Sequence, residues 1–260
     1  MIEAQLLQSP WPVIWWDEID STSVEASRRS SQGERGPIWL AARRQTAGRG
    51  RLGRPWQSPA GNLSTTLLLP LSSFDREASC LSLTVGLAVR DTLVELSQGK
   101  VVPGLKWPND VRVDGAKICG ILMEAGQTNG QHWLSIGIGV NLQYAPDLPD
   151  YATTSLMKLC PELSVSPEDC LTKLDHFVRV RLTQHLKAGR ETILRDWMSA
   201  TDQHGQSYRA QIGGKSVTGQ FNGLDEYGQL ILRTSEQELL TVSAGDLKPI
   251  TESHADASGN

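Results

Sequence analysis

The chain has 260 residues, 39% of them hydrophobic and 21% charged, with a formal net charge of −4 at neutral pH. Such a length supports a sizeable core and more than one domain, while an acidic whole excludes a general polyanion binder, so phosphate-binding cations must be clustered. No run reaches the ~20 apolar residues of a membrane span, no cationic stretch opens a signal peptide, and the four cysteines (Cys80, Cys119, Cys160, Cys170) and scattered histidines argue against a disulfide frame or structural metal, so a cytoplasmic protein is expected.

In chain order, Thr22-Ser-Val-Glu25 has the form of a capping box and predicts a helix to about Ser31, stopped by Gly33. Residues 38–42 read as a strand, 43–62 as a long loop rich in Gly, Pro and Arg, and 63–69 as the next strand. Long loops inside compact domains are usually functional. Between 77 and 97, Leu81, Val85, Val89, Leu93 and Leu96 recur at helical spacing. Strands follow at 105–107, 110–113, 117–124 and 133–142, with a hairpin dipeptide at Asp114-Gly115. Turns this short require antiparallel pairing and exclude a purely parallel sheet.

Residues 168–187 predict an amphipathic helix with Leu171, Leu174, Val178, Leu182 and Leu186 on one stripe, and 190–199 a shorter one. After Gly205 short alternating runs at 208–212, 216–221, 229–232 and 239–242 are split by Gly213-Gly214, Gly223 and Gly228, the texture of a small β module. The expected division is 1–203, 204–250 and a disordered tail at 251–260, where TESHADASGN has little to bury. The role of 143–167 is not legible.

Residues 48–56, GRGRLGRPW, contain G-x-G-x-x-G at Gly48, Gly50 and Gly53. A dinucleotide loop opens a helix at its third glycine, and Pro55 and Pro59 forbid one here. The glycines still let a backbone approach a ligand and present N–H groups to it. Five arginines fall within 43–54, and their planar forks suit carboxylate and phosphate oxygens. The plain alternative is a solvated basic loop or one that touches nucleic acid. Gly214-Lys215-Ser216 imitates the end of a P-loop, but Arg209 stands where the first glycine is required, so it reads as a hairpin turn.

A second cluster, Lys106-Trp107-Pro108-Asn109-Asp110, places a cation, an amide and a carboxylate within five residues. Lys117, Gly120 to Glu124, and Gly137-Ile-Gly139-Val-Asn141-Leu142 follow. Singly, each is a surface lysine or a turn; ordered along one chain, they become specific.

With DSTS at 20–23, QTAGRGRLGRPW at 45–56, KWPND at 106–110, KICGILME at 117–124 and GIGVNL at 137–142, the sequence resembles the biotin protein ligases, the biotin–carboxylase ligases. The resemblance implies an α+β fold: a mixed, largely antiparallel sheet with flanking helices, related to class II aminoacyl-tRNA synthetases, plus a small SH3-like C-terminal barrel. It implies activation of biotin by MgATP to biotinyl-5′-AMP, then transfer to one lysine of a biotin carboxyl carrier protein, the acetyl-CoA carboxylase subunit. Ser21, Thr22 and Gln45 would bond the ureido ring. Gly48, Arg49, Gly50 and Arg51 would wrap the carboxylate and adenylate phosphate, and Arg54 would bind the nucleotide. Trp56 would stack on adenine, and Asn109 and Asn141 would hold the nucleotide side. Lys117 would neutralise the carboxylate–phosphate junction. Asp110 would orient Lys117 or assist the incoming amine, two roles that stay unranked.

The chemistry suits these residues. A carboxylate with a pKa near ~4.5 is already ionised at neutral pH, so attack on the α-phosphorus needs cations and positioning rather than a base. The mixed anhydride formed must be shielded from water, and residues 43–54 are the expected lid. About twenty residues precede DSTS, too few for the winged-helix domain of DNA-binding relatives, so no DNA partner is expected. Thr46 replaces a second glutamine of many relatives. A homodimer is left open. The nearest alternative is a lipoate–protein ligase or transferase of the same fold; a nucleic-acid-binding protein is a distant one.

Overall fold

The computed structural model describes residues 10–71, 77–212, 215–243 and 247–250, the side chains of 77–79 excepted. The glycine pair at 213–214 and the tail at 251–260 lie outside these residues.

Among the described residues, seven strands form one mixed sheet in the order β1 (Val13–Ile19), β2 (Ile38–Gln45), β3 (Leu63–Leu71), β7 (Gln131–Val140), β6 (Ala116–Thr128), β5 (Asp110–Val113) and β4 (Gly104–Lys106). The β1–β2 pair is parallel and every other neighbour is antiparallel. β2 up to Ala42 and β3 up to Leu69 are continuously buried because both faces are covered. Trp39, Ala41, Leu63 and Leu67 enter the main core, while Ile38, Leu40 and Leu68 pack with Ala26 of α1 (Thr22–Ser31). On the main-core side lie α2 (Glu77–Leu96), α4 (Pro167–Ala188) and α5 (Arg190–Ala200), which pack on one another. α1 packs over β2, β3 and β7 on the opposite face and leaves the surface over β6 and β5 without a helix.

The helix periodicities hold, with one exception. Leu186 is 47% exposed, and the buried position beside it belongs to His185, whose Nδ1 lies 2.9 Å from Thr84 Oγ1. The capping box is also displaced: Ser21 is the N-cap and makes no side-chain cap bond. Glu25 turns instead to Arg29 at 2.9 Å, and Gln45 Oε1 accepts the Thr22 N–H at 2.8 Å. β2 runs three residues beyond its predicted end at 42, so Arg43 and Arg44 belong to a strand and not to the loop. Asp114 and Gly115 both have positive φ (49° and 79°), the backbone a two-residue hairpin demands. Gly223 lies inside β9 (Lys215–Leu224) instead of separating strands.

Two elements were not legible. β1 is a half-exposed edge strand. Residues 141–155 form a strap that returns along β6: the Lys117 N–H donates to Ala152 O and the Thr154 N–H to Lys117 O, each at 2.9 Å. Asn62 Oδ1 fixes its start by accepting from the N–H groups of Leu142, Gln143 and Tyr144. A short helix α3 (Leu156–Leu159) ends it.

The C-terminal strands β8 (Ser207–Ile212), β9, β10 (Leu230–Arg233), β11 (Leu239–Val242) and β12 (Lys248–Pro249) form an antiparallel sheet ordered β11-β10-β9-β8-β12. Its buried Tyr208, Phe221, Leu230 and Leu232 belong to the same apolar cluster as the main core. Trp107 joins the two: its backbone N–H donates to Gln203 Oε1 at 2.5 Å and its indole Nε1–H to Gly228 O at 2.9 Å.

Candidate active site

The open part of the α1 face holds a cavity of about 680 Å³. Its floor is main chain. Gly120 on β6 and Gly137 and Gly139 on β7 replace side chains there, and the Trp56 indole lies directly on this bare backbone. A Cβ on Gly139 would stand 2.4 Å from the indole Nε1, and one on Gly137 would stand 2.8 Å from Ser23 Oγ. Glycine inside a strand marks such a close approach.

One wall is the arginine hairpin. Thr46 and Ala47 N–H groups bond Ile19 O and Asp20 O at its foot, and Gly50 N–H to Arg54 O (2.8 Å) and Trp56 N–H to Gly48 O (2.9 Å) close it. Residues Arg51–Gly53 make a single 3₁₀ turn, with Leu52 in the left-handed region (φ 56°) and 69% exposed. No α-helix opens here, which agrees with the rejection of a dinucleotide loop. Arg51 Nη1 donates to Asn109 Oδ1 at 2.9 Å, and Arg49 pairs with Glu124 at 3.2 Å. Arg43 and Arg44 leave the site: Arg43 pairs with Asp17 and Glu168, and Arg44 with Glu18.

The facing wall comes from β4–β5–β6 and the strap. Lys117 Nζ is 2.7 Å from Asp110 Oδ1, and it lies 5.5 Å from the Trp56 ring centroid and 5.6 Å from that of Tyr151. A carboxylate and two aromatic faces therefore fix the ammonium. Asn109 Nδ2 donates to Ile121 O, which sets the amide that receives Arg51. At the trough's other end, Gln45 Oε1 accepts from Thr22 N–H and hydroxyl (2.8 and 3.1 Å), and its Nε2 donates to Ser58 Oγ (2.7 Å).

Of the sequence-derived site residues, Thr22, Gln45, Arg49, Gly50, Arg51, Arg54, Trp56, Asn109, Asp110 and Lys117 line the cavity. Three do not. Ser21 is buried beside it, with a hydroxyl that has no protein partner. Gly48 closes the hairpin, where a Cβ would meet Trp56 O at 2.4 Å. Asn141 is buried and does not line the cavity; its amide donates to Thr154 O at 3.0 Å and so ties the strap. Sequence reasoning missed the glycine floor, Tyr151, Arg112 and Lys248, all of which line the cavity. The i, i+2 glycines of GIG were the available signal; the others come from segments without a motif.

The lining holds seven cations (Arg49, Arg51, Arg54, Lys106, Arg112, Lys117, Lys248) and two carboxylates (Asp110, Asp150), in a chain of net charge −4. Such a cleft concentrates an anionic substrate. Nucleophilic thiol chemistry does not fit: burial pushes the Cys119 thiol far above its ordinary range and Cys170 up to about 12. Among the described residues, no group of three or more His, Cys, Asp or Glu could hold a metal ion, and no helix is long and apolar enough to cross a membrane.

Residues 16–141 match the family model described as the biotin/lipoate A/B protein ligase family, and 204–247 the biotin protein ligase C terminal domain. A biotin--[acetyl-CoA-carboxylase] ligase of Paracoccus denitrificans is 36% identical over 219 residues, covering 82% of this chain and 91% of that protein. One of Mycobacterium tuberculosis is 31% identical, covering 89% of each. The solved Aquifex aeolicus biotin protein ligase in complex with biotin and ATP superposes with a TM-score of 0.77 at 27% identity, covering 92% of this chain and 98% of that one.

Proposed function

The chain belongs to the biotin/lipoate A/B protein ligase family, and we infer that it activates biotin with ATP and transfers it to a lysine of a biotin carboxyl carrier protein. The observation that carries this reading is one cavity with a bare glycine floor between an arginine hairpin and the fixed Lys117–Asp110 pair. In the first step a biotin carboxylate oxygen bonds to the α-phosphorus. The bond from that phosphorus to the bridging oxygen breaks, and pyrophosphate leaves with the electron pair. In the second step the carrier's neutral amine attacks the acyl carbon, the bond from that carbon to the phosphate oxygen breaks, AMP leaves with the electron pair, and the nitrogen's proton passes to solvent. Neither step needs a protein nucleophile.

In this reading the biotin ring lies on the trough, its ureido group toward Ser21, Thr22 and Gln45. The unpartnered Ser21 hydroxyl supports a ureido ring over the dithiolane ring of a lipoyl chain, which has no N–H or C=O to offer. Arg49, Arg51 and Arg54 with the Gly48–Gly50 main chain gather the anions, and Lys117 stands at the carboxylate–phosphate junction. Trp56 stacks on adenine and Asn109 steadies Arg51. Asp110 orients Lys117, because the two are already paired at 2.7 Å. Mg²⁺ enters with ATP as part of the substrate. Residues 46–54 form the lid, and 1–203 and 204–250 are the working division of a cytoplasmic enzyme.

The test uses labelled biotin, MgATP and a biotin-free carrier domain, beside the same carrier with its acceptor lysine changed to arginine. ATP-dependent label on the first carrier only is expected. Label from lipoate instead, or no label and no biotin-dependent pyrophosphate exchange, overturns the reading.

A further inference from the structure

The rim of the cavity carries one carboxylate among its cations. Of the described residues that line the cavity and are exposed, Arg49, Arg54 and Lys248 are cationic, and Asp150 on the strap is the single acid. The other carboxylates nearby are engaged: Asp110 by Lys117 at 2.7 Å, Glu124 by Arg49 at 3.2 Å, and Asp202 by Arg112. Asp150 has no ion pair or hydrogen bond among the described residues. Its loop is nevertheless anchored. The Thr153 hydroxyl donates to Pro146 O and closes the neck of 147–152, and the Lys117 N–H donates to Ala152 O at 2.9 Å. Next to Asp150, Tyr151 is 40% exposed, and its ring centroid lies 5.6 Å from Lys117 Nζ. An acid at the rim and an aromatic face beside Lys117 thus stand side by side on one short loop.

We propose that Asp150 and Tyr151 form the entry site for the acceptor lysine of the carrier. The proposal rests on the biotin-transfer reading and adds the side from which the second substrate comes. A lysine amine with a pKa near ~10.4 arrives as an ammonium. It meets a cavity lined by seven cations, which repel it. Asp150 offsets that repulsion at the rim, and the Tyr151 ring takes the ammonium and its methylene stem on one face. Deeper in, the same cations favour the uncharged amine. The ammonium therefore gives its proton to solvent at the rim, and the neutral amine goes on to the acyl carbon, as the second step requires. The strap, which lacks a motif of its own, gains a part in the second half-reaction by this route.

Measuring the two half-reactions apart on the full chain tests this. Transfer is followed in single turnovers, from enzyme preloaded with labelled biotinyl-5′-AMP to a biotin-free carrier domain at varied concentration. Biotin-dependent pyrophosphate exchange, which needs no carrier, reports the first step. Asp150→Asn is expected to lower the second-order transfer constant about two- to fivefold, the range for one exposed charge pair. Asp150→Lys, which places a like charge before the ammonium, should lower it about tenfold or more, and both losses should shrink as salt is raised. Asp150→Glu should match the wild type, which separates charge from loop structure, and exchange by Asp150→Asn should stay within about twofold. Transfer unchanged in the Asn and Lys variants, with exchange intact, overturns the entry site alone. Exchange that falls together with transfer in Asp150→Asn also overturns it, by placing the carboxylate on the ATP side. A wild-type protein without biotin-dependent exchange overturns the biotin reading and the entry site with it.

Discussion

The two walls of the cavity carry the same charge but are built differently. Lys117 is 15% exposed, its main chain is gripped on both sides by the strap, and its ammonium is fixed by Asp110 and two aromatic rings. Arg49 is 47% exposed with one ion pair at 3.2 Å, and the hairpin around it ends in an exposed, left-handed Leu52. A charge held by sheet is present before substrate arrives and needs no reorganisation at the moment of reaction. A charge on a solvent-exposed hairpin can follow its ligand and close over it. The fixed wall is therefore assigned to rate and the hairpin to retention of the intermediate.

The largest effect should come from the fixed wall. Lys117→Gln is expected to lower kcat for biotin-dependent pyrophosphate exchange about 100- to 1,000-fold, as removal of a preorganised charge does elsewhere. A loss below tenfold would erase the contrast between the walls. Next, Asn141→Ala should cost about 1–3 kcal/mol in urea unfolding by stranding the buried Thr154 carbonyl, with KM for ATP changed less than about twofold. A raised KM with intact stability would return Asn141 to the nucleotide.

On the hairpin, Arg51→Gly should retain adenylate synthesis within about tenfold yet release the intermediate. The readout is label on lysines outside the carrier, and strict carrier specificity would count against it. Amide exchange sharpens the same point: protection at 46–54 should rise on binding biotinyl-5′-AMP, while 117–124 is protected throughout. The smallest effect lies at the hairpin's foot, where Asp20 O receives the Ala47 N–H. The Arg28 hydrogen bond, then the Ser21 N–H, hold the Asp20 carboxyl below its ordinary value. A carboxyl depressed on folding stabilises above its unfolded pKa, near ~4, and that contribution fades as pH falls through the folded value. The thermal midpoint gap between wild type and Asp20→Asn should therefore be small at pH 6 and smaller at pH 3.

Much of this was legible in the sequence for identifiable reasons. α2, α4 and α5 bury one continuous stripe, so their 3.6-residue period survives in the sequence. The Asp114-Gly115 turn is legible because few residue pairs tolerate two positive φ angles. β1 was missed because Trp15-Trp16-Asp17-Glu18 lies at a sheet edge, where neither face is fully buried and alternation is lost. The strap was missed because its order comes from distant partners, Asn62 and the main chain of Lys117. The arginine count misled in part: Arg43 and Arg44 sit in a strand whose carboxylate neighbours lie far along the chain or on another strand. Lys248 could not be found at all, since only tertiary packing brings β12 to the cavity.

The glycine floor has a consequence for the kinds of ligand this scaffold can be remodelled to take. Beneath Trp56 there is only main chain, and main chain cannot be trimmed. A Cβ at Gly139 would meet the Trp56 indole at 2.4 Å and one at Gly137 the Ser23 hydroxyl at 2.8 Å, so substitution there displaces those side chains, and main chain sets the lowest level the pocket can reach. A bulkier analogue must be admitted sideways, by shortening residues of the walls. A deeper site needs a smaller side chain at Trp56, whose indole lies on that floor, so depth and the aromatic cover are set by one residue.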